Sequence, residues 1–260
     1  MQRKRSITLV ILAVVAGCTT TCSSGRLPTD PEPGTGRVSD GVVRGGALYD
    51  RWWEVTGTDA PQGDHPLWSQ RPDTVSNNRS GADTWRCKEC HGWDYRGVAG
   101  AYGEGSHRTG FAGVANAASR PNAEIVATIL EGHGYAAVGL SEADARDLAQ
   151  FINRGLIDTS TLIDASGKFT GSPQAGEALF HEPFIGEDGC ADCHGQDGLE
   201  SPLNDQEFGD FPGLVARKNP WELLHKVRFG QPGSDMPAAM LHLTPTQLDD
   251  LGAFLQTLPD

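Results

Sequence analysis

Two pentads, Cys87-Lys88-Glu89-Cys90-His91 and Cys190-Ala191-Asp192-Cys193-His194, carry the chemistry most plainly written in this chain. Each has the C-x-x-C-H spacing of covalent c-type haem attachment. Two thiols three positions apart on one helical turn can both add to the vinyl groups of a single porphyrin. The adjacent histidine, His91 or His194, then meets the iron as its proximal ligand. A glycine follows each pentad, Gly92 and Gly195. Zinc ligation or disulfide pairing would draw on the same cysteines and stays open for either pentad alone. Their repetition in one chain favours two covalently bound haem c groups.

The elements that must position these pentads are themselves repeated. Leu140-Ser141-Glu142-Ala143-Asp144 opens a helix carrying Leu148, Phe151 and Ile152, and Leu243-Thr244-Pro245-Thr246-Gln247 opens another carrying Leu251, Phe254 and Leu255. Each pattern predicts a capping box, Ser141 with Asp144 and Thr244 with Gln247, followed by one core-facing stripe. The offset of 103 between these helices also relates the two pentads. Upstream, Gly46-Ala47-Leu48-Tyr49 parallels Glu177-Ala178-Leu179-Phe180 as the start of an N-terminal helix. Tyr49 precedes Cys87 by 38 residues, whereas Phe180 precedes Cys190 by 10, so the first unit carries about 28 extra residues. That insertion, around 54–85, reads as an ordered loop rich in Gly, Pro, Asp and Asn. Trp52, Trp53, Trp85 and Trp93 flank it, as a haem-pocket wall or as a substrate or docking surface. Third helices are expected over 121–132 and 220–230, each opening at proline and stopping at glycine.

A helix, a C-x-x-C-H pentad, a loop, a helix, a distal ligand and a final helix resemble the class I cytochrome c family. Cys193-His194-Gly195-Gln196-Asp197-Gly198, Phe211-Pro212-Gly213-Leu214 and Asp235-Met236-Pro237-Ala238 carry the resemblance most closely. The first unit shares the pentad and the last helix and matches less well elsewhere. The resemblance implies an all-α fold of two tandem domains, each wrapped around one haem: 44–158 with the insertion, a linker at 159–170, and 171–260. It also places Met236, 42 residues past His194, as the second iron ligand, with Met240 as the alternative. After Met1 the first unit has no methionine. His133, 42 residues past His91 and seven before Leu140 as Met236 is before Leu243, is the matching candidate, and His107 on a Gly-rich loop is its rival. His65, His181, His225 and His242 lack ligand-like spacing and are expected at the surface.

The N-terminus reads as a targeting segment. Arg3-Lys4-Arg5 precedes a short apolar run, Ile7 to Ala16, too short to span a bilayer. Val15-Ala16-Gly17-Cys18 resembles a bacterial lipobox, implying a signal peptide over 1–17, lipidation of Cys18 and an outer-membrane destination in a Gram-negative host. Ordinary cleavage near Cys22 or Gly25 is the alternative. Residues 18–43 then form a flexible tether. The net charge of −13 argues against nucleic acid and anionic headgroups and permits steering toward basic redox proteins.

These readings converge on an electron carrier facing the periplasm or cell surface, anchored by lipid, with a bis-histidine haem in domain 1 and a His/Met haem in domain 2. The alternative is a dihaem oxidoreductase resembling thiosulfate dehydrogenases or peroxidases, with domain 1 as the catalytic haem. Thiosulfate dehydrogenases use a cysteine as distal ligand, and the first unit has none beyond Cys87 and Cys90. A peroxidase needs an open position, which His133 would block unless it dissociates.

Overall fold

The computed structural model describes residues 40–183, 188–200, 211–239 and 242–260. The expected signal peptide, Cys18, Cys22, the tether before Asp40 and Met240 all lie outside them. The first half contributes α1 (Asp40–Thr56), α2 (Cys87–His91), α3 (Asn122–Ala127) and α4 (Glu142–Gln150). The second contributes α5 (Pro173–His181), α6 (Cys190–His194), α7 (Pro212–Lys218), α8 (Pro220–Phe229) and α9 (Pro245–Leu255). No strand occurs among the described residues; Gly97 with Ala112 and Ile163 with Phe169 form isolated bridges.

The capping boxes form as expected. Asp144 N–H donates to Ser141 Oγ at 3.2 Å and Ser141 N–H to Asp144 Oδ2 at 2.9 Å. Gln247 N–H donates to Thr244 Oγ1 at 3.3 Å and Thr244 N–H to Gln247 Oε1 at 2.9 Å. Each box satisfies two N–H groups that a helix start would leave orphaned, and so fixes where α4 and α9 begin. α3 and α4 each run on into a wider π turn, Thr128–Gly132 and Phe151–Gly155.

Both halves bury these last helices against their first helix through the same contact. A Cβ on Gly45 in α1 would stand 2.1 Å from the Asp147 carbonyl, and one on Gly176 in α5 would stand 1.9 Å from that of Asp250. Only a bare Cα permits such an approach. One turn further on, Tyr49 meets Phe151 at 5.3 Å and Phe180 meets Phe254 at 5.5 Å between ring centroids. The matched residues differ by 131 in the first helices and by 103 in the last, the offsets visible in the sequence.

Three features depart from the sequence reading. α1 begins at Asp40 and buries Val42, so the end of the expected tether is helical. Leu162, Ile163 and Phe169, within the expected linker, are buried in the second hydrophobic cluster. All the described residues belong to one compact unit, because α8 serves both halves. Its Leu223 and Leu224 pack in the second cluster, while Phe229 belongs to the first.

The insertion is ordered by its own polar contacts. His65 N–H donates to Thr84 Oγ1 at 2.8 Å, Trp85 Nε1 to the Gly63 carbonyl at 3.0 Å, and Asn77 Nδ2 to Glu89 Oε1 at 2.7 Å. The last of these ties the loop to α2.

Candidate haem-attachment sites

α2 and α6 are single helical turns, too short to be stable alone, so tertiary contacts must hold them. Arg86, just before α2, donates Nε to Asp50 Oδ1 at 2.8 Å and Nη1 to Asp83 Oδ1 at 3.1 Å. Burial opposes ionisation of Asp50, but Arg86, helped by Lys226 and Lys88, outweighs it and holds the carboxyl below its usual range. At α6, Gly189 N–H donates to Asp192 Oδ2 at 2.6 Å. Both helices stop at a glycine with positive φ, Gly92 at 79° and Gly195 at 74°. Both pentad histidine carbonyls then accept an N–H from six residues on, Gly97 at 2.8 Å and Glu200 at 2.9 Å.

Burial pushes the Cys87 thiol up to about 11, Cys90 to about 12 and Cys190 to about 11. No group of three or more His, Cys, Asp or Glu suited to a metal ion occurs among the described residues, which leaves a tetrahedral zinc site without its ligands. Thioether attachment needs neither thiolates nor a fourth side chain, since a porphyrin supplies four of the iron's six ligands.

In the first half, His91 Nδ1 lies 2.6 Å from the Ala112 carbonyl, brought there by the Gly97–Ala112 bridge. His133 Nδ1 lies 2.8 Å from the Thr128 carbonyl. A carbonyl can only accept, so both Nδ1 atoms carry protons, and Nε2 is the nitrogen each ring could offer to a metal. The two imidazole centroids are 6.2 Å apart. A metal ion bonded at about 2 Å to one nitrogen of each ring requires roughly 6 Å between centroids. Burial draws His91 down to about 4, keeping it neutral and able to ligate. His107 sits elsewhere, stacked on Tyr102 at 5.0 Å with Nδ1 at 3.3 Å from Glu89 Oε1.

Two histidines expected at the surface are instead buried, a correction to the sequence reading. His65 is 5 % exposed and lies 6.3 Å from His133, 4.4 Å from Trp85 and 5.3 Å from Tyr135 between centroids. Its Nδ1 accepts the Leu67 N–H at 3.1 Å, while its Nε2 is buried without a partner. His225 is 1 % exposed, between α1 and the loop after α2. Spacing to a pentad could flag neither, because the insertion carries one and the far half carries the other. His181 and His242 are exposed.

The four tryptophans around the insertion are buried, which removes them as a docking surface. Trp52 and Trp85 border Tyr135, whose hydroxyl is 3.9 Å from Cys87 Sγ. Trp93 packs instead on His225 at 4.8 Å.

In the second half, His194 Nδ1 is buried without a partner, and burial lowers the ring's basicity. Met236 is half-buried, its N–H donating to Ser234 Oγ at 3.2 Å. Its segment folds back on Gly230, where a Cβ would stand 2.6 Å from the Met236 carbonyl.

Residues 171–255 match the family model described as cytochrome c oxidase, cbb3-type, subunit III. No curated protein and no solved structure is detectably similar to the chain. That match supports a cytochrome c domain over 171–255 and, with it, covalently bound haem c and haem-based electron transfer in that part of the chain.

Proposed function

We propose that the protein is a dihaem electron carrier built from two tandem class I cytochrome c domains. Cys87 and Cys90 would hold one haem, with His91 and His133 as its axial ligands. Cys190 and Cys193 would hold the other, with His194 and Met236. Each haem, when bound, supplies reversible one-electron chemistry at its iron. The chain's own contribution is to bury the groups, fix the His91 and His133 rings through backbone carbonyls and present a docking face.

The observation that carries the reading is the pair His91 and His133, whose rings are 6.2 Å apart and each held at Nδ1 by a backbone carbonyl. The repeated glycine–carbonyl crossings of α1 with α4 and α5 with α9 support the duplication. A thioether ligand favours ferrous iron more than a second imidazole does, so electrons would run from the first haem to the second. We further propose an exported lipoprotein, modified at Cys18 and held at the outer membrane, that exchanges electrons with partners bearing a basic face.

A second reading, a dihaem oxidoreductase with its catalytic haem in the first half, draws on one observation. The unpartnered Nε2 of His65, beside His133, could donate a hydrogen bond to a small ligand if His133 left the iron. Near-infrared magnetic circular dichroism with EPR separates the two. Equal bis-His and His/Met signals support the carrier; a high-spin haem that takes up cyanide readily supports the enzyme. Intact mass and the pyridine haemochrome assay count the haem groups, and loss of membrane attachment in Cys18→Ser tests the anchor.

A further inference from the structure

We infer that the cleft between the loop after α2 and the α7–α8 corner is a binding site for a small organic polyanion, phosphorylated or polycarboxylated. The cleft has a volume of about 830 Å³ and contains none of the pentad cysteines, nor His91, His133, His194 or Met236. Six cationic side chains line it against two carboxylates, Glu104 and Glu222, in a chain whose net charge is −13. That reversal of sign is local and two-sided, with Arg51, Arg79, Arg86 and Lys88 contributed from α1, the insertion and the start of α2, and Lys218 and Lys226 from the α7–α8 corner.

Half of these cations are already matched. Lys88 Nζ is 2.7 Å from Glu89 Oε2, Lys226 Nζ is 2.9 Å from Glu222 Oε1, and Arg86 is held by Asp50 and Asp83. Lys218 and Arg79 leave a surplus. Lys218 has no ion-pair partner among the described residues, and the Nε of Arg79 approaches Glu89 Oε1 only to 3.9 Å. A second observation comes from Tyr102, which forms part of the wall at 4 % exposure and keeps a buried hydroxyl with no partner among the described residues. A buried hydroxyl without a hydrogen bond is costly unless another group serves it.

The class of ligand follows from the lining. Guanidinium and ammonium groups recognise carboxylate and phosphate oxygens. Trp221 and the stacked Tyr102–His107 pair give an organic framework something to lie against. Small-molecule sites occupy roughly 300–1,000 Å³, and the cleft falls inside that range.

Isothermal titration of the haem-loaded protein with pyrophosphate and, separately, with citrate at low ionic strength tests the site and distinguishes phosphoryl from carboxyl preference. Saturable binding of one equivalent is expected with at least one probe. Arg79→Gln with Lys218→Gln should weaken it by about tenfold or more, and Tyr102→Phe by several-fold. Lys168→Gln, on an exposed turn elsewhere, should leave it unchanged. Absence of saturable binding for both probes would overturn the inference, and so would equal weakening by Lys168→Gln and by the double variant. Haem content in the same samples separates loss of the site from loss of the fold, and keeps the outcome independent of the haem assignments.

Discussion

His225 of α8 donates its Nε2–H to the carbonyl of Gly46 in α1 at 2.9 Å. Because that carbonyl can only accept, Nδ1 is the acceptor, and the Tyr95 hydroxyl, 2.9 Å away, donates to it. A neutral imidazole thus bridges the two halves with both nitrogens used.

That bridge has an acid limit. Burial above all pulls His225 down to about 3, so the fold holds it neutral while the unfolded chain protonates it below about 6.5. Its contribution is fully present above pH 6.5 and is lost as pH falls toward 3, at about 1.4 kcal/mol per pH unit for one proton. Denaturant unfolding of the wild type and of His225→Gln should therefore differ in pH dependence. Between pH 7 and 5 the wild type should lose about 2 kcal/mol more than the variant does. Equal slopes would show that His225 is not held neutral.

The helix crossings predict a matched pair of defects. An alanine methyl at Gly45 or Gly176 would meet a backbone carbonyl, which cannot swing aside as a side chain can. Gly45→Ala and Gly176→Ala should each cost about 2–4 kcal/mol by overpacking. Gly132→Ala, whose Cβ would find its nearest neighbour, Thr128 Cγ2, at 3.8 Å, should stay within about 1 kcal/mol of wild type. Calorimetry of the haem-loaded variants gives the ranking.

Ligation in the first half separates by substitution. His133→Ala should convert one haem from low to high spin in the EPR spectrum. His107→Ala should leave both spectra intact, since that ring faces Tyr102 and Glu89. The opposite pattern would reverse the assignment of the sixth ligand.

In the second half, Met236→His should lower the midpoint potential of one haem and leave the other unchanged, because an imidazole favours ferric iron more than a thioether does. Potentiometry of that variant beside Met240→Ala tells the two methionines apart. A potential that moves only in Met240→Ala would transfer the role to Met240.

What the sequence revealed was local. Ser141 with Asp144 and Thr244 with Gln247 are short-range hydrogen-bonding patterns, and both caps could be read directly. The pentads were legible because each is a short contiguous C-x-x-C-H run. His225 gave no such signal. α8 has a recognisable stripe in Leu224 and Val227, yet it also buries Arg228 and Phe229 on another face, against residues of the first half. A second buried face reads as amphipathic noise until the partner helix is known. His65 was hidden for the same reason, since its neighbours Trp85 and Tyr135 come from distant parts of the chain.

Phe229 carries a consequence for biogenesis. Its ring occupies the space that a Cβ on Gly46 would fill, and it seals the first hydrophobic cluster from a position beyond the second pentad. As the chain emerges amino-terminus first, that cluster cannot be sealed before Phe229 follows, by which point all four pentad cysteines have emerged. Closure of the amino-terminal core is therefore timed by its carboxy-terminal neighbour.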